Sequence, residues 1–144
     1  DVYKRQILGD PEILPKNLRD LIDETADIST HYEGFQANVC LNYGGRDEIV
    51  RAALRFAEDY KAGKAATLTE ESFSNYMFSA GIPDPDLIIR PGGEMRLSNF
   101  LMWESAYSEL IFTDVLWPDF TSGDIDAAIA EYQRRDRRFG GIKK

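Results

Sequence analysis

The chain has 144 residues, 43% apolar and 29% charged, which suits one globular domain or a large piece of one. Its net charge of −8 argues against a nucleic-acid partner held by bulk electrostatics, so any bound anion must be met by local arginines. The single cysteine, Cys40, excludes an internal disulfide framework and suits a reducing cytosol; no apolar run reaches bilayer-spanning length and there is no signal-peptide pattern.

The opening Asp1-Val2-Tyr3-Lys4-Arg5-Gln6 has no initiator Met and runs at once into a strand-like Ile7-Leu8 and the turn Gly9-Asp10-Pro11. An α/β domain seldom starts on the last residues of a strand. Residues 1–144 therefore read as a single-domain fragment lacking its true beginning, with the nativeness of residues 1–6 left open. The spacing of Leu14, Leu18, Leu21, Ile22 and Ala26 predicts a first helix, with Pro15 in its first turn. Phe35, Ala37, Val39 and Leu41 alternate with polar residues and predict a strand. The turn Asn42-Tyr43-Gly44-Gly45-Arg46 leads into a second helix with Ile49, Val50, Ala53, Ala57 and Tyr60 on its inward face, ending near Gly63. Thr69 caps a third helix, with Phe73, Tyr76, Met77 and Ala80 inward and Gly81 closing it before Pro83 and Pro85.

Two short strands follow, Asp86–Arg90 and Glu109–Phe112, and a final helix starts near Thr121-Ser122 and buries Ile125, Ala128, Ile129 and Tyr132. Strands alternating with helices predict an α/β fold, a mostly parallel sheet flanked by helices on both faces.

Ligands of such sheets gather at the carboxyl ends of the strands, where two turns stand: Asn42–Arg46 and the stretch Arg90 to Asn99. In the second, Gly92 and Gly93 let the backbone approach a ligand, and Arg90, Arg96 and Ser98 surround them. A guanidinium fork matches phosphate oxygens two at a time, so this set suits a diphosphate. Glu94 between the arginines and Glu109 on the next strand would sit beside that diphosphate only with a cation between, and Mg²⁺ is the usual one.

Taken singly, each piece also has a plainer reading. A Gly-Gly turn is more often only a turn, and Glu94 a salt-bridge partner. Trp103, Tyr107 and Phe112 read first as core, His31 as a solvated cap, Cys40 as an inert buried thiol, and Arg134–Arg138 as a solvated helix end.

The stretch Pro85 to Phe100, with Arg90-Pro91-Gly92-Gly93-Glu94-Met95-Arg96-Leu97-Ser98-Asn99 at its centre, resembles the signature of the cis-prenyltransferases. Trp103, Ala106–Leu110 and Phe112–Phe120 continue the match, and Asn42–Arg46 and Arg137-Arg138-Phe139-Gly140-Gly141 are similar to two further family motifs. The resemblance runs from about Ile7 to Gly141 and implies an enzyme of the undecaprenyl diphosphate synthase type, a homodimer that extends farnesyl diphosphate with isopentenyl diphosphate in cis and releases pyrophosphate. It implies that Arg90, Arg96 and Ser98 bind isopentenyl diphosphate, that Glu94 orients the arginines, and that Glu109 is associated with Mg²⁺. Arg138 and Gly140 would complete the neighbouring subunit's site, and the lipid product implies a peripheral membrane contact for a cytoplasmic protein.

The family's Asp-led His-Gly-Asn-Gly-Arg-Trp loop and its Phe-Ser-x-Glu-Asn-Trp segment do not occur in the chain, and Asp10 belongs to a later family segment. No catalytic residue is therefore assigned, and the chain alone is expected to be inactive and poorly folded. A non-catalytic subunit of a heteromeric enzyme is the alternative, although such subunits tend to lose the arginine site. A nucleotide-binding module ranks last, because no Walker or dinucleotide fingerprint occurs.

Overall fold

A computed structural model describes residues 3–135 of the chain. It divides into two compact units, Asp1–Ile82 and Pro83–Lys144.

In the first unit, β1 (Lys4–Leu8) pairs in parallel with β2 (Gln36–Cys40), and α1 (Lys16–Ser29) makes the crossover. The register runs from Lys4 opposite Gln36 to Leu8 opposite Cys40. The pairing is tied off beyond the ladder. The Asp10 N–H donates to the Asn42 carbonyl at 3.3 Å, and the Asn42 side-chain amide returns to the Asp10 carbonyl at 2.8 Å. Gly9 makes this closure possible: its φ is +127°, and a Cβ there would stand 2.2 Å from the Leu41 carbonyl oxygen. Asn42, at φ 47°, takes a left-handed backbone that asparagine tolerates better than most residues.

Helix α2 (Gly45–Lys61) starts on an extended Gly44, has Asp47 and Glu48 at its positive end and Lys61 in its last turn, and the chain leaves it through a left-handed Gly63. A short helix α3 (Glu70–Ser74) follows, capped reciprocally by Thr69 and Ser72. The expected third helix is thus cut to five residues. Past Ser74 the bonds tighten to the three-residue spacing, from Tyr76 N–H to the Phe73 carbonyl and from Met77 N–H to the Ser74 carbonyl, and a left-handed Gly81 follows.

The second unit repeats the parallel pairing on a smaller scale. β3 (Leu87–Arg90) lies beside β4 (Glu109–Phe112), with Leu87 opposite Glu109 and Arg90 opposite Phe112. Helix α4 (Ser122–Arg134) follows, started by a capping box between Thr121 and Asp124. Hydrogen bonds from Thr121 hold the Asp124 carboxyl below its ordinary range. The α/β class and the parallel pairing expected from the sequence hold in both units.

The inward faces of the helices are only partly those expected: Ile22, Ala26, Ile49 and Tyr132 are half-buried, but other expected residues are not. In α2, Val50, Ala53, Ala57 and Tyr60 are exposed, whereas Gly45, Glu48 and Ala52 are buried. In α4, Ala128 is buried but Ile125 and Ile129 are about four-tenths exposed, and in α1 Leu18 and Leu21 face outward while Ser29 is buried. Each buried stripe is built of small residues and polar ones with partners. Ser29 Oγ, for example, accepts from the Arg5 N–H at 3.0 Å and donates to the Ala26 carbonyl at 3.1 Å. Ala80 and Tyr107 are also exposed, and Cys40 is half-buried rather than buried.

Gly9→Ala is expected to lower unfolding free energy by about 2 kcal/mol or more, through positive-φ strain and the clash with the Leu41 carbonyl. Urea titration of both forms, followed by circular dichroism, checks this; an unchanged midpoint would contradict it.

Candidate functional site

β3 ends on Arg90, and the chain then turns through Pro91, Gly92 and Gly93, the glycines at φ 94° and 75°. The turn is anchored to the loop beyond β4: the Gly92 N–H donates to the Val115 carbonyl and the Gly93 N–H to the Thr113 carbonyl, both at 2.9 Å. A Cβ on Gly93 would come within 3.2 Å of an Asp114 carboxylate oxygen, so a larger residue would meet both strain and crowding.

Four of the expected site residues come together on this frame. Arg90 Nη1 donates to Ser98 Oγ at 3.0 Å and to the Arg96 carbonyl oxygen. Arg96 Nη1 donates in turn to Glu94 Oε2. The Arg96–Glu94 pair is well exposed, at 63% and 49%, so water screens it and it orients the guanidinium more than it stabilises the fold. The arrangement places two guanidinium groups and a hydroxyl on one exposed loop, with part of Arg90's fork committed to protein acceptors and its other N–H groups available for an anion.

Glu109 does not join them. It opens β4 opposite Leu87, three register steps from the level of Arg90, or about 10 Å along the strands. Side chains alternate along a strand, so Glu109 shares the face of Ile111 while Arg90 projects from the other. Its Oε2 accepts from Arg135 Nη1 at 2.9 Å, and the same Nη1 reaches the Leu110 carbonyl at 3.1 Å. Arg135 also bonds Glu131 Oε1 at 3.3 Å through Nε. These carboxylates, Glu109 first, raise the Arg135 pKa; Arg135 and then Arg134 lower that of Glu131.

No cluster of three or more metal-ligating side chains occurs among the described residues. As donor chemistry, Glu109 fits Mg²⁺ as a single hard oxygen ligand, the kind of site in which phosphate and water supply the rest. Within this unit it stands apart from the arginine loop. Arg138 and Gly140 lie outside the described residues.

The turn at the end of β2 carries a residue that the sequence reading missed. Glu48 is 1% exposed and accepts from Tyr43 Oη and, at 2.8 Å, from the Phe78 N–H. It stands on the inward stripe of α2, where an apolar residue is the normal expectation, and only its position three residues after Gly45 hinted at a buried role. Asp10, 8% exposed, pairs with Arg51 at 2.6 Å, and Arg51 is shared with Asp47 at 2.7 Å. Asn42, Tyr43 and Gly44 thus serve first to fasten β1, β2 and α2 together.

A family profile described as putative undecaprenyl diphosphate synthase matches residues 2–140. The chain belongs to this family. An isoprenyl transferase of Geobacillus kaustophilus is 48% identical over 141 residues, covering 96% of this chain and 55% of that protein. A protein of Thermoplasma volcanium named tritrans,polycis-undecaprenyl-diphosphate synthase (geranylgeranyl-diphosphate specific) is 46% identical over 145 residues, covering 96% and 56%. Among solved structures, lavandulyl diphosphate synthase from Lavandula x intermedia in complex with dimethylallyl diphosphate superposes with a TM-score of 0.93 at 35% identity, covering 96% of this chain and 61% of that one. A probable undecaprenyl diphosphate synthase from Campylobacter jejuni gives 0.85 at 32% identity, covering 96% and 64%. The chain therefore spans about half the length of the curated relatives it matches. It is thus a member of the cis-prenyltransferase family. No helix among the described residues is long and apolar enough to cross a membrane.

Tyr43→Phe removes a donor to the buried Glu48 carboxylate and is expected to cost about 1–3 kcal/mol. Chemical denaturation of the two forms measures it, and a loss below a few tenths of a kcal/mol would mean that the Tyr43 bond does not anchor this turn.

Proposed function

We propose that the loop Arg90 to Asn99 holds the diphosphate of isopentenyl diphosphate in a cis-prenyltransferase that extends an allylic diphosphate, farnesyl in the reading of the sequence, toward an undecaprenyl product. One observation carries the reading: Arg90, Arg96 and Ser98 meet on a single exposed turn at the carboxyl end of a parallel strand, the place where α/β sheets take their ligands. Diphosphate oxygens would take the uncommitted N–H groups of Arg90 and exchange Glu94 for phosphate on Arg96, a swap of one charge-assisted bond for another. Ser98 would then donate its hydroxyl to the ligand while its oxygen still accepts from Arg90. Holding the homoallylic substrate by its charged end leaves its alkene free to face the allylic carbon, so the loop's contribution is orientation.

Glu109 is assigned to Mg²⁺ on the family resemblance alone, since it stands about 10 Å along the strands from Arg90, on the other face, and is paired with Arg135. Arg138 and Gly140 are assigned to a neighbouring subunit's site on the family resemblance alone. The 144-residue chain contains no Asp-led allylic-diphosphate loop, and we propose that it does not turn over by itself. The presence of Arg90, Glu94, Arg96 and Ser98 favours a catalytic origin over a non-catalytic partner subunit.

Calorimetric titration of the chain with isopentenyl diphosphate tests the clamp. Arg90→Ala is expected to weaken binding by about tenfold to a hundredfold, the range for losing charge-assisted bonds, and unchanged affinity would remove Arg90 from the site. A radiolabel assay of the chain with farnesyl diphosphate, isopentenyl diphosphate and Mg²⁺ is expected to yield no polyprenyl product; product formation would refute the proposal that the chain cannot turn over alone.

A further inference from the structure

The loop that carries the clamp is unusual in its backbone. Gly92 and Gly93 take positive φ, as glycine does without penalty, but so do Ser98 (49°), Asn99 (66°) and Leu101 (45°). Asparagine tolerates the left-handed region through its short polar side chain. Leucine does not, because its Cβ crowds the neighbouring carbonyl. A residue kept in such a conformation is held there by its surroundings, and strained residues of this kind gather at ligand sites.

What holds Leu101 can be traced. Its carbonyl accepts from the Ser105 N–H at 2.9 Å, which ties it to the short 3-10 helix Glu104–Tyr107. Immediately before it, the Phe100 N–H closes a turn onto the Leu97 carbonyl at 3.1 Å. Ser98, whose Oγ accepts from Arg90, sits inside that turn, and the Arg96 carbonyl that also accepts from Arg90 sits just ahead of it. The torsion at Leu101 therefore sets the direction in which the whole turn leaves the 3-10 helix, and with it where both acceptors of Arg90 stand.

We propose that Leu101 is a positioning residue of the diphosphate clamp: its left-handed backbone fixes the Leu97–Phe100 turn so that Ser98 and the Arg96 carbonyl hold Arg90 ready for the anion. This rests on the diphosphate reading of the loop. A glycine at 101 relieves the strain but opens several further backbone wells, so the turn can swing and Arg90 must be ordered again at each binding event. Stability and affinity should then move in opposite directions, which a merely structural leucine would not produce.

The test compares the full 144-residue chain with Leu101→Ala, Leu101→Gly, Leu101→Asn and Arg90→Ala, by thermal unfolding and by calorimetric titration with inorganic pyrophosphate. Leu101→Gly is expected to melt about 2–5 °C above Leu101→Ala, since both lose the same side chain and only glycine accepts the torsion. It is also expected to bind pyrophosphate about three- to tenfold more weakly than Leu101→Ala. Leu101→Asn, suited to the left-handed region without glycine's freedom, should retain the wild-type affinity, and it replaces Leu101→Ala in the affinity comparison if the alanine form does not fold. Equal affinity of the glycine and alanine forms, with Arg90→Ala weakened, would overturn the role of Leu101 alone. A glycine form that melts no higher would also overturn it, because no strain would then exist. Unchanged binding by Arg90→Ala would instead bring down the clamp reading itself.

Discussion

Everything proposed for this chain depends on backbone bonds that run past the ends of its two parallel strand pairs. A parallel ladder of four or five residues is short, and its last turns would drift apart if nothing closed them. In the first unit the closure is the exchange between Asp10 and Asn42; in the second it is the pair of bonds from Gly92 and Gly93 to Val115 and Thr113. Both closures occur at residues with positive φ, because the chain must reverse sharply while keeping its N–H groups aimed at the neighbouring loop. The carboxyl end of each pair is thereby tied to the neighbouring loop.

The two ends use this closure differently. At the first, the polar groups are consumed internally: Asn42 bonds Asp10, Tyr43 bonds Glu48, and Arg51 is taken by Asp10 and Asp47. Asp47 and then Asp10 raise the Arg51 pKa against the opposing effect of burial. At the second, Arg90 is half-buried and Arg96 exposed, and Arg90 is only partly committed to protein acceptors. The motif at Asn42 is a fastening, and the motif at Arg90 is where the proposed function places the diphosphate.

Carboxylates inside helix stripes are the second recurring device. Glu48 in α2 lies on the buried face, and Asp124 and Glu131 in α4 line, with Ile89 and Ile111, a cavity of about 180 Å³ against the sheet. Each has found donors: Tyr43 and Phe78 for Glu48, Thr121 for Asp124, Arg134 and Arg135 for Glu131. A satisfied carboxylate can occupy an inward position at small net cost, whereas an unsatisfied one cannot.

The sequence by itself determined the α/β class, β4 over its full length, the start of α4 at its Thr121 cap, and the turn residues that bring Arg90, Arg96 and Ser98 together. These follow from local chemistry: strand alternation, capping residues, and glycines where the backbone must go left-handed. The extent of the third helix and the facing of the others were not local questions. Hydrophobic periodicity assigned Val50, Ala53, Ile125 and Ile129 inward along with Ala128, yet of these only Ala128 is buried, and the buried face of α2 holds Ala52 beside Glu48, whose donor Phe78 lies far along the chain. Periodicity counts apolar residues and cannot see a donor thirty positions away. The tertiary structure likewise decided that Glu109, on the strand after the Arg90 loop, lies on the opposite face and at the opposite end of the strand pair, because parallel register and side-chain alternation fix both.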